Sequence, residues 1–285
     1  MPLQPWFKLY PALLLSAFIV FASPATHLHA AGSHKAFFPG EKLKFRLKWG
    51  LIPAGEALLE VLPIEVIDGI ESYHFVMTAR TNAFIDAFYK YRSRIDAYAD
   101  TGMTRSIMYR KTVEARKKIR EVVVNFDWEK SEVRYHSVKK YADEAAKASR
   151  KKNFKGKSRT RKSSIPVLPG SFDPLSVFYY SRSISLNEKT HIQRPVSDGK
   201  KCIVGEAKVK RRDKVRLDSG TYDTYLIEPS LEHLEGVFEK SKKAKIQLWI
   251  TSDERRIPVK LKSKIVIGSF TGELISYTDG QNNTQ

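Results

Sequence analysis

Apolar and polar positions alternate along most of this chain. Leu43, Phe45, Leu47 and Trp49 interleave with Lys44, Arg46 and Lys48, the period of a half-buried β-strand. The same period predicts strands over 56–66, 73–78, 89–98, 105–113, 118–128 and 132–138. It returns over 190–194, 201–217, 222–229, 244–251, 257–267 and 269–277. Turn signals separate them, among them Asp68-Gly69, Asp100-Thr101-Gly102, Asp198-Gly199 and Asp218-Ser219-Gly220. Two places break the period. Phe84, Ile85 and Phe88 have helical spacing, which predicts a single turn over 83–88. SFDPLSVFYYSRSI predicts the main helix, with Asp173 as N-cap, Pro174 at the first helical position and an apolar stripe of Leu175, Phe178, Tyr179 and Ile184. About a dozen strands with short links and one main short helix predict an all-β fold. The expected form is a large curled antiparallel sheet, half-barrel or barrel-like, because parallel pairs would need crossover helices.

The first hairpin is interrupted. Gly50, Pro53 and Gly55 fall within six residues, with Leu51 and Ile52 where a wet turn is expected. Glycine permits positive φ and proline fixes one, so a stiff tip of about four to six residues is predicted. Two readings follow. Leu51 and Ile52 fold under as a core plug, or they form an apolar lip at the mouth of a ligand cavity with Trp49 just inside.

With 285 residues and 42% hydrophobic content the chain can build a real core. Residues 9–22 form an apolar run after Lys8, too short for a bilayer span and suited to the h-region of a signal peptide over 1–30. Ala25, Ala30 and Ala31 are the candidate cleavage points; an uncleaved anchor is the alternative. Residues 31–285 are then a single β-rich domain in the periplasm. No cysteine follows the run, so a lipoprotein anchor is not expected. Cys202, the only cysteine, excludes an internal disulfide and reads as a small hydrophobe buried in a strand.

The formal net charge is +19. Residues 139–162 hold eleven Lys or Arg against Asp143 and Glu144, with few apolar side chains. Such a segment cannot offset its ordering entropy, so a mobile basic loop is expected at about 139–163. Lys151, Lys152, Lys155, Lys157, Arg159, Arg161 and Lys162 are its candidates for binding an anionic surface. An exported chain meets lipid headgroups and acidic glycans rather than nucleic acid; a merely solubilising insertion is the alternative. Arg80, Arg92, Arg94, Arg105 and Arg110 alternate with apolar positions in strands; most are expected on a solvated face, and a subset is a second candidate for holding an anionic headgroup beside an apolar cavity.

WGLIPAG (Trp49 to Gly55), FDPLSVFYY (Phe172 to Tyr180), LWITSDERRIPVKLKSK (Leu248 to Lys264) and GSFTGEL (Gly268 to Leu274) resemble, in order, a bacterial envelope family known as domain of unknown function 3108. The resemblance implies an exported, mostly β protein and no particular reaction.

Chemistry-bearing patterns are sparse. His27 and His29 fall in or beside the signal, the other five histidines show neither H-x-x-x-H nor H-x-H among them, and G-x-S-x-G is missing. No catalytic residue, metal or cofactor is expected. The sequence therefore predicts a non-enzymatic periplasmic protein that holds an amphipathic envelope molecule (lipid, glycolipid or acyl chain) in a β half-barrel. Trp49, Leu51, Ile52, Phe84, Phe88 and Tyr179 are the candidate ligand contacts. The runner-up is an adaptor that docks to membrane, cell wall or a partner protein through its basic loop; a hydrolase of envelope polymers comes third.

Overall fold

Alternating side chains build two long meanders. The first runs β1 (Lys42–Trp49), β2 (Ile52–Ile67), β3 (Ile70–Thr81), β4 (Tyr91–Asp100), β5 (Ser106–Ala115), β6 (Lys118–Asp127), β7 (Glu132–Tyr141) and β8 (Arg159–Pro166), with helix α1 (Ala83–Tyr89) between β3 and β4. Helix α2 (Ser176–Ser183) leads into the second: β9 (His191–Ser197), β10 (Cys202–Leu217), β11 (Gly220–Pro229), β12 (Lys245–Thr251), β13 (Pro258–Lys264) and β14 (Ser269–Thr278). This computed structural model describes residues 36–141, 158–230, 245–264 and 269–280. All of them lie in one compact unit, His34–Gln285. The signal peptide and its cleavage points, and Lys151, Lys152, Lys155 and Lys157, lie outside the described residues.

β1 pairs with β14, so the meanders join into one antiparallel sheet of fourteen strands whose edges are β8 and β9. The sheet is open, and the second meander folds back onto the inner face of the first. Gly199, in the β9–β10 turn, sits against Tyr135 and Val124, where a Cβ would approach both side chains to 2.9 Å. Its φ of 86° is a second reason for glycine there. Ser106 N–H donates to the Ser171 carbonyl, and Phe172 bridges Val196.

One end of the sheet is filled. Tyr179 of α2 stacks on Phe75 with ring centroids 3.9 Å apart, and Phe37 meets Tyr73, Phe75 and Tyr179 edge-on. Leu43, Val61, Phe172 and Leu274 complete this packing. Arg182 is wholly buried there and pairs with buried Glu41 through both guanidinium Nη atoms at 2.7 and 2.8 Å. Its other protons go to the carbonyls of Ala36, Arg255 and Arg256. The pair ties the segment before β1, α2 and the β12–β13 turn together.

The structure departs from the sequence reading at four points. The basic loop is shorter than 139–163, because Lys139 to Tyr141 extend β7 and Arg159 to Ser163 begin β8. Backbone pairing to β7 orders β8 even though its side chains are almost all exposed. The first hairpin tip is also shorter: β2 starts at Ile52, leaving Gly50 and Leu51 as the turn, and a bulge opposite Leu47 and Lys48 takes up Ala54, between the paired Pro53 and Gly55. Regular α2 begins at Ser176 rather than Pro174, although the Asp173 carboxylate still accepts the N–H groups of Leu175 and Ser176 at 2.8 and 3.0 Å. Finally, Arg80, Arg92 and Arg94 all lie on the solvated face expected for most of the strand arginines, so none of these three joins a headgroup site on the core side.

Candidate ligand-binding end of the sheet

The end opposite α2 is built from the β1–β2 hairpin, α1, the β5–β6 turn and the start of β14. Gly50 turns the hairpin with φ of 59°. Gly55 is required for a different reason: a Cβ would lie 2.0 Å from the Arg80 carbonyl oxygen. The two glycines thus make the turn and let β2 close on β3. Beside them, Asn82 caps α1 by accepting the Ile85 N–H at 2.9 Å, and donates to the Pro53 carbonyl at 2.7 Å. Its own N–H donates to the Ala54 carbonyl, locking α1 to the hairpin. Arg92 grips the far side through Asp86 and the Thr81 carbonyl. The hydrogen bonds of Arg92, then of Thr81, hold the Asp86 carboxyl down at about 2. Arg116, in the β5–β6 turn, lies 5.0 Å over the Tyr89 ring.

This firmly anchored frame presents apolar side chains to water. Leu51 is 95% exposed, Phe88 73% and Phe84 63%, and α1 buries none of its residues. Trp49 and Ile52 are about half exposed, and Trp49 stacks on Phe270 of β14 at 6.2 Å. Tyr89 and Phe270 are likewise open. Of the candidate ligand contacts, Trp49, Leu51, Ile52, Phe84 and Phe88 are therefore brought to one end. Tyr179 is not; it lies in the packed end. Phe270 escaped the sequence reading, although the alternation Phe270, Gly272, Leu274 puts it on the core-facing side beside Trp49.

The charged candidates divide by face. Arg159 and Arg161 fall on the core-facing side of β8, and Lys162 on the outer side. A groove of about 640 Å³ crosses the outer face over β1 to β5. Its lining charges are mutually neutralised: Glu56 takes Lys44 and Arg80, Asp86 takes Arg92, Asp96 takes Arg94, and Lys90 caps Glu114. Also on this face, His74 is buried between Glu65 and Asp96 at 2.7 and 3.0 Å and stacks on Tyr98. Burial pushes the Asp96 carboxyl up, but its bonds to Arg94 and His74 outweigh that and leave it below the usual range. Cys202 is half-buried, 3.3 Å from Ser171 Oγ. Among the described residues no group of three or more His, Cys, Asp or Glu is gathered as a metal site, and no helix is long and apolar enough to cross a membrane.

The family model described as "Protein of unknown function (DUF3108)" matches residues 44–275. The chain belongs to this family. Among the quoted motifs of this DUF3108 chain, WGLIPAG is the open-end hairpin and FDPLSVFYY runs from the Asp173 turn into α2. A solved structure of a β-barrel-like protein of DUF1849 from Brucella abortus has 10% sequence identity and a TM-score of 0.50, over 86% of this chain and all of that one. It shows the shared fold. A protein with a YmcC-like fold from Bacteroides fragilis aligns over 85% of this chain and 99% of its own, at 7% identity and a TM-score of 0.33. Among curated proteins no match is found.

Proposed function

We propose that this DUF3108 protein is a non-enzymatic periplasmic binder of an amphipathic envelope molecule (a lipid, a glycolipid or an acyl chain), whose apolar part sits at the open end of the sheet. One observation carries the reading. Trp49, Leu51, Ile52, Phe84, Phe88 and Phe270 stand exposed at one end, while the opposite end is packed shut. Exposed apolar groups gathered in this way mark binding surfaces in soluble proteins. Removing such surface from water yields about 25 cal/mol per Å². The frame supports the reading too. α1 is capped and clamped although it buries nothing, so the ordering of that helix serves the side chains it displays. The apolar run over 9–22 supports export.

The test is tryptophan emission of the purified protein during titration with dihexanoyl phosphatidylcholine. A blue shift is expected, and Trp49→Phe abolishes it, because Trp249 is buried and Trp128 half-buried. Native mass spectrometry of protein from its own envelope is expected to retain a lipid. An unshifted spectrum together with a lipid-free mass defeats the proposal.

A further inference from the structure

The inner face of β5–β8 has a property that composition does not reveal. The β5–β6, β6–β7 and β7–β8 ladders run without a register shift, so directly paired residues share a face. Tyr109, Val124, Tyr135 and Val133 fix which face looks into the core. Following their parity toward the open end brings Lys111, Lys118, Arg120, Lys139, Arg159 and Arg161 onto that same face. No described residue on it is acidic. The acids of these four strands, Glu114, Glu121, Asp127 and Glu132, all lie on the outer face, where Lys90, Lys140 and Arg134 pair with the first three.

Arg120, Lys139 and Arg159 are paired directly across three neighbouring strands. Strands lie about 4.8 Å apart, so three positive charges stand side by side. Like charges facing each other in this way destabilise a sheet. Arg120 is held by donating to Tyr135 Oη at 2.7 Å, and Lys118 leans over the Tyr141 ring. The β9–β10 turn faces this row with Asp198 and Lys200, and the Asp198 carboxylate is engaged by the N–H groups of Lys200 and Lys201. Burial lowers the basicity of Lys111, and the positive charges of Arg120 and Lys200 lower it further. An anion at this face relieves all of these costs at once.

We infer that the inner face of β5–β8 is the seat of the ligand's headgroup, and that this headgroup carries a phosphate. Two arginine forks beside an ammonium suit a phosphate that accepts from several donors, and a monoester supplies between one and two negative charges near neutral pH. The inference rests on the amphiphile reading above and names the polar half of that ligand.

The experiment compares dihexanoyl phosphatidic acid, dihexanoyl phosphatidylcholine and inorganic pyrophosphate at fixed ionic strength, read by calorimetry. Four proteins are used: wild type, Arg120→Gln, Arg159→Gln and the outer-face control Lys140→Gln. Arg159 is exposed at the sheet edge, so its variant retains the fold even where Arg120→Gln does not. The phosphatidic acid is expected to bind about tenfold tighter than phosphatidylcholine. Each inner-face variant is expected to lose about tenfold, and Lys140→Gln to lose nothing. Equal binding of both lipids, unaffected by the inner-face variants, overturns the headgroup inference and leaves the amphiphile reading standing. Pyrophosphate binding without lipid binding keeps the anion site and removes the amphiphile. Binding of none of the three overturns both.

Discussion

The two ends of the sheet are made from the same alternation and treat their apolar groups in opposite ways. At one end Phe37, Phe75 and Tyr179 stack around the buried Arg182–Glu41 pair, and every polar atom of the guanidinium has a partner. At the other, Leu51, Phe84 and Phe88 are displayed on a clamped frame with no other described residue laid over them. Stability and display have been separated along the strand axis. A change at the packed end should therefore alter folding, and one at the open end should alter binding.

The largest effect expected is from Arg182→Met. It strands Glu41 in the core, and breaking a buried pair in this way costs about 3–5 kcal/mol. For a domain of this size that lowers Tm by roughly 6–20 °C, measurable by calorimetry. Adding Glu41→Leu should restore much of the loss; a double variant as unstable as the single would show that the carbonyl contacts of Arg182, not its charge, hold the end together. Next is Gly55→Ala, expected to cost about 3 kcal/mol by driving a methyl into the Arg80 carbonyl. It is a useful exception, a folding-sensitive position at the displaying end, and wild-type stability in this variant would refute the close approach. Tyr179→Phe should raise stability by about 1 kcal/mol in chemical denaturation, since the buried hydroxyl lacks a hydrogen-bond partner among the described residues. A loss instead would reveal a hidden partner.

Leu51→Ser and Phe88→Ser should change stability by less than about 0.5 kcal/mol while weakening lipid binding. A large stability loss would make these side chains part of the core and erase the contrast between the ends. The smallest effect concerns the α1 clamp. The folded pKa of Asp86 lies below its unfolded value, so its contribution is complete above about pH 4 and falls away as pH drops toward about 2. Hydrogen exchange in α1 should rise across that window in wild type, and Asp86→Asn should show the raised exchange already at neutral pH.

Much of this was readable residue by residue. Leu43 and Phe45 announced β1, and Phe84 with Phe88 announced α1, because local period suffices for each. β8 was unreadable: RTRKSSIP has no apolar alternation, and its order comes from the backbone of β7. Buried Arg182 was equally hidden, since its partner Glu41 comes near only through the tertiary fold. The cationic inner face lay between these cases. Val122, Val124 and Phe126 share parity with Lys118 and Arg120, yet solvated cations look alike on either face until ladder register extends the core side outward. The headgroup candidates Arg80, Arg92 and Arg94 failed for the same reason, their parity placing them with Glu56 and Asp96.

The pairing of β1 with β14 has a consequence for how the chain comes into being. Leu43 waits for Tyr277, and Phe45 for Leu274, so a central strand keeps one bare flank until β14 has been made. The first eight strands can zip in order, each onto the last, but contacts of such long sequence separation form late and slowly. Through that interval the exposed hydrogen-bonding edge belongs to KLKFRLKW, a strand with one wholly apolar face, rather than to RTRKSSIP, which has no such face and forms an edge of the finished sheet. A nascent molecule is therefore most prone to pair with its neighbours just before its last strand arrives.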